Sequence, residues 1–482
     1  MIERESLRRA GTLPAQAAAL ATVLAIMLAL SGCVSFVPPY ERPAAPVAPA
    51  YAPELLPAGG SDATAAAEVE WQRYFADARL KRLIEIALQN NRDLRVAVLG
   101  IEQARAAYQV RRADELPTVG AGLTAQRQAS GGSLVNSYAV GLAVTGYELD
   151  FFGRVRSLSQ SALSSYMATE EARKTVQITL VAAVANTHLS LLADDELLRV
   201  TRETLATRED SFKLTKLKFD NGASSELDLR QSEQLLEGAR ATLAQTQRQR
   251  SLDENALVLL MGEPLPADLP AATALSVQPA LRELPAGLPS DLLTRRPDVR
   301  AAEQQLLAAN ANIGAARAAF FPRITLTANA GTASTELSGL FKSGSFALTG
   351  VAQLLQPIFD AGRNQANLDV AKVNRDIAVA QYEKAIQTAF REVADSLAGR
   401  ATLGEQLRAQ TALTNAAQVS YKLADLRYRN GASSYLDVLD AQRNYFAAQQ
   451  ATVQVQALQA QNLVTLYKVL GGGWSEPARA SN

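Results

Sequence analysis

No proline occurs between Pro117 and Pro264, and none between Pro357 and Pro477. Within the first stretch, Val155 to Phe219 also lacks glycine, so its 65 residues would extend about 98 Å as one helix. A helix near 100 Å lies far outside globular norms. Apolar side chains recur along it at seven-residue steps, at Val184, Leu191, Leu198, Leu205, Phe212 and Phe219, which marks a coiled-coil seam. The second stretch keeps the line at Val393, Leu407, Tyr421 and Tyr428 and interrupts it with Arg400 and Thr414.

The two stretches belong to a tandem duplication, which sets the architecture before any local propensity does. Leu217-Lys218-Phe219-Asp220-Asn221-Gly222-Ala223-Ser224-Ser225-Glu226-Leu227-Asp228 returns 209 residues later as Leu426-Arg427-Tyr428-Arg429-Asn430-Gly431-Ala432-Ser433-Ser434-Tyr435-Leu436-Asp437. Gly153-Arg154 returns at the same step as Gly362-Arg363, and Arg112-Ala113 and Pro117 return 205 residues on as Arg317-Ala318 and Pro322. The first repeat spans 71–262: a helix over 78–115, two strands within 117–147, a long helix over 155–219, and a helix over 226–262. The second spans 290–473 in the same order, with strands within 322–355, a long helix over 363–428 and a helix over 435–470. A proline-rich connector, 263–289, joins them, and 474–482 forms a tail. In each repeat the Asn-Gly pair ends the long helix, because glycine adopts the left-handed conformation freely. The short helices have the lengths to stack end to end beside a long one.

The strand segments alternate. Val119, Ala121, Leu123 and Ala125 are separated by Gly120, Gly122 and Thr124, and Ile324, Leu326, Ala328 and Ala330 by Thr325, Thr327 and Asn329. One face is apolar and the other small or polar, as suits lipid outside and water inside. Four strands cannot close a membrane barrel, whose smallest version needs about eight. Open edges are not tolerated in hydrocarbon. Strands of this kind in a membrane require several chains to share one barrel.

The chain opens with a basic region at Arg4, Arg8 and Arg9 and an apolar run from Ala15 to Leu30, shorter than a spanning helix needs. Residues 1–32 are expected to be a signal peptide. Leu30-Ser31-Gly32-Cys33 resembles the bacterial lipobox, which makes Cys33 the expected lipidated residue of the mature chain. Residues 33–70 are then expected to be a lipid-anchored, proline-rich extended tether. The 48 Lys and Arg balance 48 Asp and Glu, so nothing favours nucleic acid as a partner. One Cys and one His make a zinc cluster or a histidine-based catalytic unit hard to assemble, and no metal or cofactor site stands out. His188 reads as an ordinary side chain, and Gly471-Gly472-Gly473 lacks the Lys-Ser/Thr of a phosphate loop. The chain is expected not to be an enzyme.

Several stretches resemble the TolC-type outer-membrane efflux proteins, in particular their lipoprotein branch. They are Tyr147-Glu148-Leu149-Asp150-Phe151-Phe152-Gly153-Arg154, Arg295-Arg296-Pro297-Asp298-Val299, Ala318-Ala319-Phe320-Phe321-Pro322, and the run from Tyr428 through Arg443, followed by Leu466 to Trp474. The resemblance implies a mixed α and β fold. A homotrimer would form a twelve-stranded transmembrane β-barrel continued by a long periplasmic α-helical barrel. It implies a passive exit duct in the outer membrane, in contact with its lipid, docked to a periplasmic adaptor protein and an inner-membrane RND-type pump. It implies that Asp437 and Asp440 form an aspartate ring at the gate, and that Asp228 and Tyr428 bond between the two hairpins to hold it shut. Ser433 stands where the family's type member has an Arg that strengthens this lock. The tips, at Asn221, Gly222 and Ser224 and at Asn430, Gly431 and Ser433, are the expected adaptor contacts. A lipid-anchored periplasmic coiled-coil scaffold and a type I secretion duct are the competing readings. The paired alternating segments argue against the scaffold.

Overall fold

The computed structural model describes residues 35–52, 68–130, 133–275 and 295–474. The leader, Cys33, the connector beyond Leu275 and the tail beyond Trp474 lie outside them. In chain order the elements are α1 (Trp71–Tyr74), α2 (Ala78–Asn90), α3 (Arg92–Ala113), β1 (Val119–Ser130), β2 (Ser133–Glu148), α4 (Arg154–Asp220) and α5 (Glu226–Met261). The second repeat supplies α6 (Pro297–Ala318), β3 (Arg323–Ser334), β4 (Phe346–Leu355), α7 (Arg363–Arg429) and α8 (Tyr435–Val469). Helices α4 and α7 are each 67 residues long, or about 100 Å. The chain divides into two units.

The first unit holds the strands, with residues 35–43, 102–168 and 302–382. The sheet is antiparallel in the order β1-β2-β3-β4. Its register aligns Ala121 with Leu142, Leu142 with Ala330, and Ala330 with Leu348, so the apolar positions form rows across all four strands. Leu123, Leu142, Phe346 and Leu348 on these strands are exposed, an arrangement that water would penalise and lipid would not. The outer edges of β1 and β4 have no strand partner among the described residues. At the base of the sheet, Arg154 donates to both Glu148 carboxylate oxygens at 2.8 and 2.7 Å, and Arg323 reaches the same group at 2.6 Å.

The expected extended tether is bound along residues 36–42. Phe36 stacks on Phe321 at 4.6 Å, and Arg317 donates to the Phe36 carbonyl at 3.2 Å. Asn310 donates to the Pro38 carbonyl at 2.8 Å. Tyr40 and Arg42 then converge on Glu303, the hydroxyl at 2.9 Å and the guanidinium at 2.7 and 2.9 Å. Residues 36–42 are thus a strap along α6. Glu303→Ala is expected to free it at a cost of roughly 1–3 kcal/mol, since Arg42 and Tyr40 lose their shared acceptor. Faster chymotrypsin cleavage after Phe36 and Tyr40 in the folded protein would report the release.

The second unit is helical and includes residues 44–52, 68–101, 169–275, 295–301 and 383–474. The helix expected over 78–115 is broken at Asn91, a correction with a clear cause. Asn91 leaves helical geometry (φ −60°, ψ 130°), and its Oδ1 accepts from the Leu94 amide at 2.9 Å. Its Nδ2 donates to the Leu260 carbonyl at 2.9 Å, so one side chain caps the start of α3 and the end of α5. Its counterpart 205 residues on, Arg296, donates to the Val469 carbonyl at 3.0 Å and plays the same part at the end of α8. By length and apolar composition α4 could cross a membrane, yet 61% of its apolar window is buried within the protein.

His188 is buried, with Nε2 3.5 Å from Asp77 Oδ2. Asp194 on α4 is also buried, and it faces Asp253 of α5. Burial, then the Asp253 and Asp195 carboxylates, push its carboxyl from 3.8 up to about 7. A raised folded value means the proton binds more tightly when folded. The resulting stability is fully present below about pH 4 and is lost as pH rises through about 7. Asp194→Asn should therefore raise the melting temperature at pH 8, by roughly 1–3 kcal/mol of stability, and leave it unchanged at pH 4.

Candidate functional site

The two hairpin tips are the same turn built twice in the second unit. Gly222 and Gly431 both sit at φ 71°, in the left-handed region. The Gly222 amide donates to Phe219 O at 2.9 Å and that of Ala223 to Lys218 O at 2.7 Å; Gly431 and Ala432 donate to Tyr428 O and Arg427 O at 2.9 and 2.8 Å. These paired bonds satisfy the last carbonyls of α4 and α7. Asn221 and Asn430 each return their side-chain amide to the helix, at 2.7 Å from Leu217 O and Leu426 O. Asn221, Gly222, Asn430 and Gly431 are exposed, and Ser224 and Ser433 are half-buried.

Both following helices open with a capping box. The Asp228 amide donates to Ser225 Oγ at 3.1 Å while its carboxylate accepts from the Ser225 amide at 3.2 Å; Asp437 and Ser434 do the same at 3.3 and 3.1 Å. The copies then diverge. Ser224 Oγ donates to Asp228 Oδ2 at 3.1 Å, whereas the Ser433 hydroxyl is buried with no partner. Burial alone would raise the Asp228 carboxyl, but the hydrogen bonds from Ser225 and Ser224 outweigh it and hold it below its usual range.

Asp228 and Tyr428 are therefore not bonded to one another in the protomer. The carboxylate is taken up locally by two serines, and the Tyr428 hydroxyl accepts from Lys218 Nζ at 3.1 Å. The Lys218 ammonium also lies 4.8 Å from the centre of the Tyr428 ring, a cation–π contact. Lys218–Tyr428 is thus a link between the two hairpins. Sequence reasoning passed over Lys218; its place within the repeated tip, one residue before Phe219, was the available signal.

Asp437 and Asp440 lie exposed on the first turns of α8, while Val438, Leu439 and Gln442 turn inward. Asp440 is paired with Arg443 at 3.1 Å. Deeper in, Arg208 is buried with no carboxylate partner among the described residues. It donates to Leu235 O at 2.9 Å and lies 5.0 Å from the Phe446 ring centre. Burial, then the nearby Arg443 charge, push its guanidinium below the usual range. Neither arginine was assigned a part from sequence. Among the described residues no group of three His, Cys, Asp or Glu side chains is placed to hold a metal.

Paired hairpin tips with outward carboxylates, two 100 Å helices and a lipid-compatible sheet with open edges describe a part of a larger conduit. The sequence model described as "Outer membrane efflux protein" matches residues 83–263 and 288–472. The chain belongs to the outer membrane efflux protein family. It is 47% identical over 463 residues to the antibiotic efflux pump outer membrane protein ArpC of Pseudomonas putida, covering 94% of this chain and 95% of that one. It is 48% identical over 459 residues to the toluene efflux pump outer membrane protein TtgI of the same species, covering 93% and 97%. Among solved structures, the open-state MtrE outer membrane channel of Neisseria gonorrhoeae matches with a TM-score of 0.84 and 41% identity, covering 92% of this chain and 99% of that one. This efflux channel is thus a transport duct of the outer membrane and not an enzyme. Its four strands, taken three times, make the twelve-stranded barrel of a trimer.

Proposed function

We propose that the trimer is the passive exit duct of a tripartite pump. A periplasmic adaptor docks on the tips at Asn221, Gly222, Ser224, Asn430, Gly431 and Ser433, and an inner-membrane RND-type pump supplies the energy. The cargo is small, poorly water-soluble organic molecules, the class to which the antibiotics and toluene in the relatives' names belong. Cys33 carries the lipid anchor. The gate lies at the tips. Three copies of Asp437 and of Asp440 converge on the axis, and each Arg443 partly offsets its own Asp440. The ring then attracts cations through Asp437 above all. Lys218–Tyr428 holds the two hairpins of each protomer together, and Asp228 keeps its hairpin in shape as a cap.

The observation that supports this gate best is the Lys218–Tyr428 link between the last turns of α4 and α7. Single-channel conductance in planar bilayers tests it. A hydrogen bond to a charged group is worth about 1.5–3 kcal/mol, so Lys218→Met with Tyr428→Phe should raise the open-to-closed ratio roughly tenfold. Asp437→Asn should lower cation preference without that rise. Unchanged conductance in the first variant would remove the link from the gate.

A further inference from the structure

The two hairpins of the sheet end differently. Only Gly131 and Gly132 separate β1 from β2, whereas eleven residues, 335–345, separate β3 from β4. The longer loop is firmly built. The Gly339 amide donates to the Glu336 carbonyl at 3.0 Å, and the Lys342 carbonyl accepts from the Ser345 amide at 3.1 Å and the Ser345 hydroxyl at 2.8 Å. Ser334 Oγ accepts from the Glu336 amide at 3.2 Å, and a Cβ on Gly339 would run into that same oxygen. Ser334 is in register with Tyr138 and Ala125, on the face that carries Leu123, Leu142, Phe346 and Leu348. The loop therefore leans over the apolar face of the sheet and not across the mouth of a barrel. Leu340 is buried there, yet Leu337 is 65% exposed and Phe341 80%.

Positive charge is placed on the same face at the same end. Arg127 follows Val119, Ala121, Leu123 and Ala125 in the alternation of β1, so it stands in an otherwise apolar column. It lies eight residues beyond Val119. That is about 26 Å along the strand and about 20 Å in height at a tilt of about 40°, near the top of an apolar band about 25 Å tall. An arginine that faces lipid is strongly unfavourable at mid-bilayer and tolerated at the surface, where the guanidinium meets headgroups. Tyr138, one step below on the same face, is the amphipathic ring that suits a bilayer surface. Lys342 is exposed in the loop. Arg127 and Lys342 have no carboxylate partner among the described residues. The one acidic residue at this end, Glu336, accepts from the Ser338 hydroxyl at 3.4 Å.

We propose that this face binds the phosphorylated glycolipid of the outer leaflet, with Arg127 and Lys342 on its phosphates and Leu337, Phe341 and Phe346 against its acyl chains. This rests on the trimeric barrel with its helices in the periplasm. Helices α3, α4, α6 and α7 all join the strands at one end, so the hairpin end is outermost. Two observations choose this occupant. Cations without a carboxylate, at the height of the bilayer surface, match an anionic headgroup. Leu337 and Phe341 extend the apolar face beyond Phe346, so acyl chains meet one continuous surface. A neighbouring copy is the other body within reach. It brings one acid to this end against two cations, so a trimer keeps its positive charge there.

Titration of detergent-solubilised trimers with bisphosphorylated lipid A tests the headgroup contact, with binding read from the rise in melting temperature. Arg127→Gln with Lys342→Gln should weaken the apparent affinity at least about tenfold, the loss expected for one or two charge-assisted hydrogen bonds. Lipid A stripped of its phosphates should bind the unsubstituted protein as weakly as the intact lipid binds the double variant. Phosphatidylglycerol should bind more weakly than lipid A. Phe341→Trp in vesicles of brominated phospholipid supplies a second measurement. Its emission should be quenched more than that of the unsubstituted protein, whose Trp71 and Trp474 lie in the helical unit. Equal affinity of the double variant, or of the phosphate-free lipid, would overturn the proposal while leaving the barrel intact. Phosphatidylglycerol that binds as tightly as lipid A would overturn it in favour of any anionic lipid. An unquenched Trp would overturn it by placing another copy or water on Phe341. If the double variant does not assemble, the phosphate-free lipid and the Trp variant decide. Failure of the unsubstituted protein to form trimers would overturn the barrel first and this surface with it.

Discussion

Gly331→Val should abolish barrel assembly. Gly141 and Gly331 are directly opposed on β2 and β3. A Cβ placed on Gly141 would run into the Ala330 carbonyl and Gly331 Cα, and one on Gly331 into the Val140 carbonyl and Gly141 Cα. The two strands approach so closely here that only glycine fits on either side. A side chain would part β2 from β3 in mid-strand, and the freed amides and carbonyls would face hydrocarbon. Each unsatisfied backbone group there costs several kcal/mol, so loss of even a few ladder bonds exceeds the stability of an ordinary fold. Heat-stable trimers on unheated gels should fall at least about tenfold, because each 1.4 kcal/mol is already a factor of ten. Gly122→Val is the matched control. Gly122 pairs with Gly141 from the other side, yet nothing lies within 4 Å of a Cβ built there. If both variants assemble alike, the close approach is not what holds β2 to β3.

The duplicated frame was legible because its signals are local. Proline-free stretches, seven-residue apolar steps and the Asn-Gly pair each act within a few residues of themselves, and the long helices and tips follow from them. Alternation gave the strands for the same reason. What escaped depends on partners far away in the chain. Asn91 is an unremarkable polar residue in a helical pattern until the Leu260 carbonyl arrives beside it. Phe36 to Arg42 read only as extended tether because proline-rich chain is extended whether bound or not; the acceptor that fixes it, Glu303, is 261 residues beyond Arg42. The contact expected between Asp228 and Tyr428 is a different case. Resemblance named Asp228 and Tyr428, but in the protomer Ser224 and Ser225 donate to that carboxylate. Position within a family does not decide which of several donors a side chain meets. Gly141 and Gly331 were visible only as small residues in alternating strands, since their opposition depends on register.

Tyr467→Ala should be the most damaging single change in the helical unit. The ring is 2% exposed and stacks on Tyr74 at 4.0 Å, with Phe75 edge-on at 6.0 Å. Its hydroxyl donates to the Val69 carbonyl at 2.5 Å, while Tyr74 donates to the Leu463 carbonyl at 2.7 Å. Gly472 passes so near the ring that a Cβ there would collide with it. Residues 69–75 and the end of α8 are therefore clasped together by Tyr467 and Tyr74, each bonded to the other segment's backbone. Truncation opens a cavity, loses two ring contacts and strands the Val69 carbonyl, at a combined cost of about 3–5 kcal/mol. Tyr467→Phe keeps the ring and strands only the carbonyl, which should cost roughly 1–2 kcal/mol. Guanidinium unfolding of detergent-solubilised protein, followed by helical circular dichroism, separates the two values. Equal losses in the two variants would mean that Tyr467 acts through its hydroxyl alone and not through the packed ring.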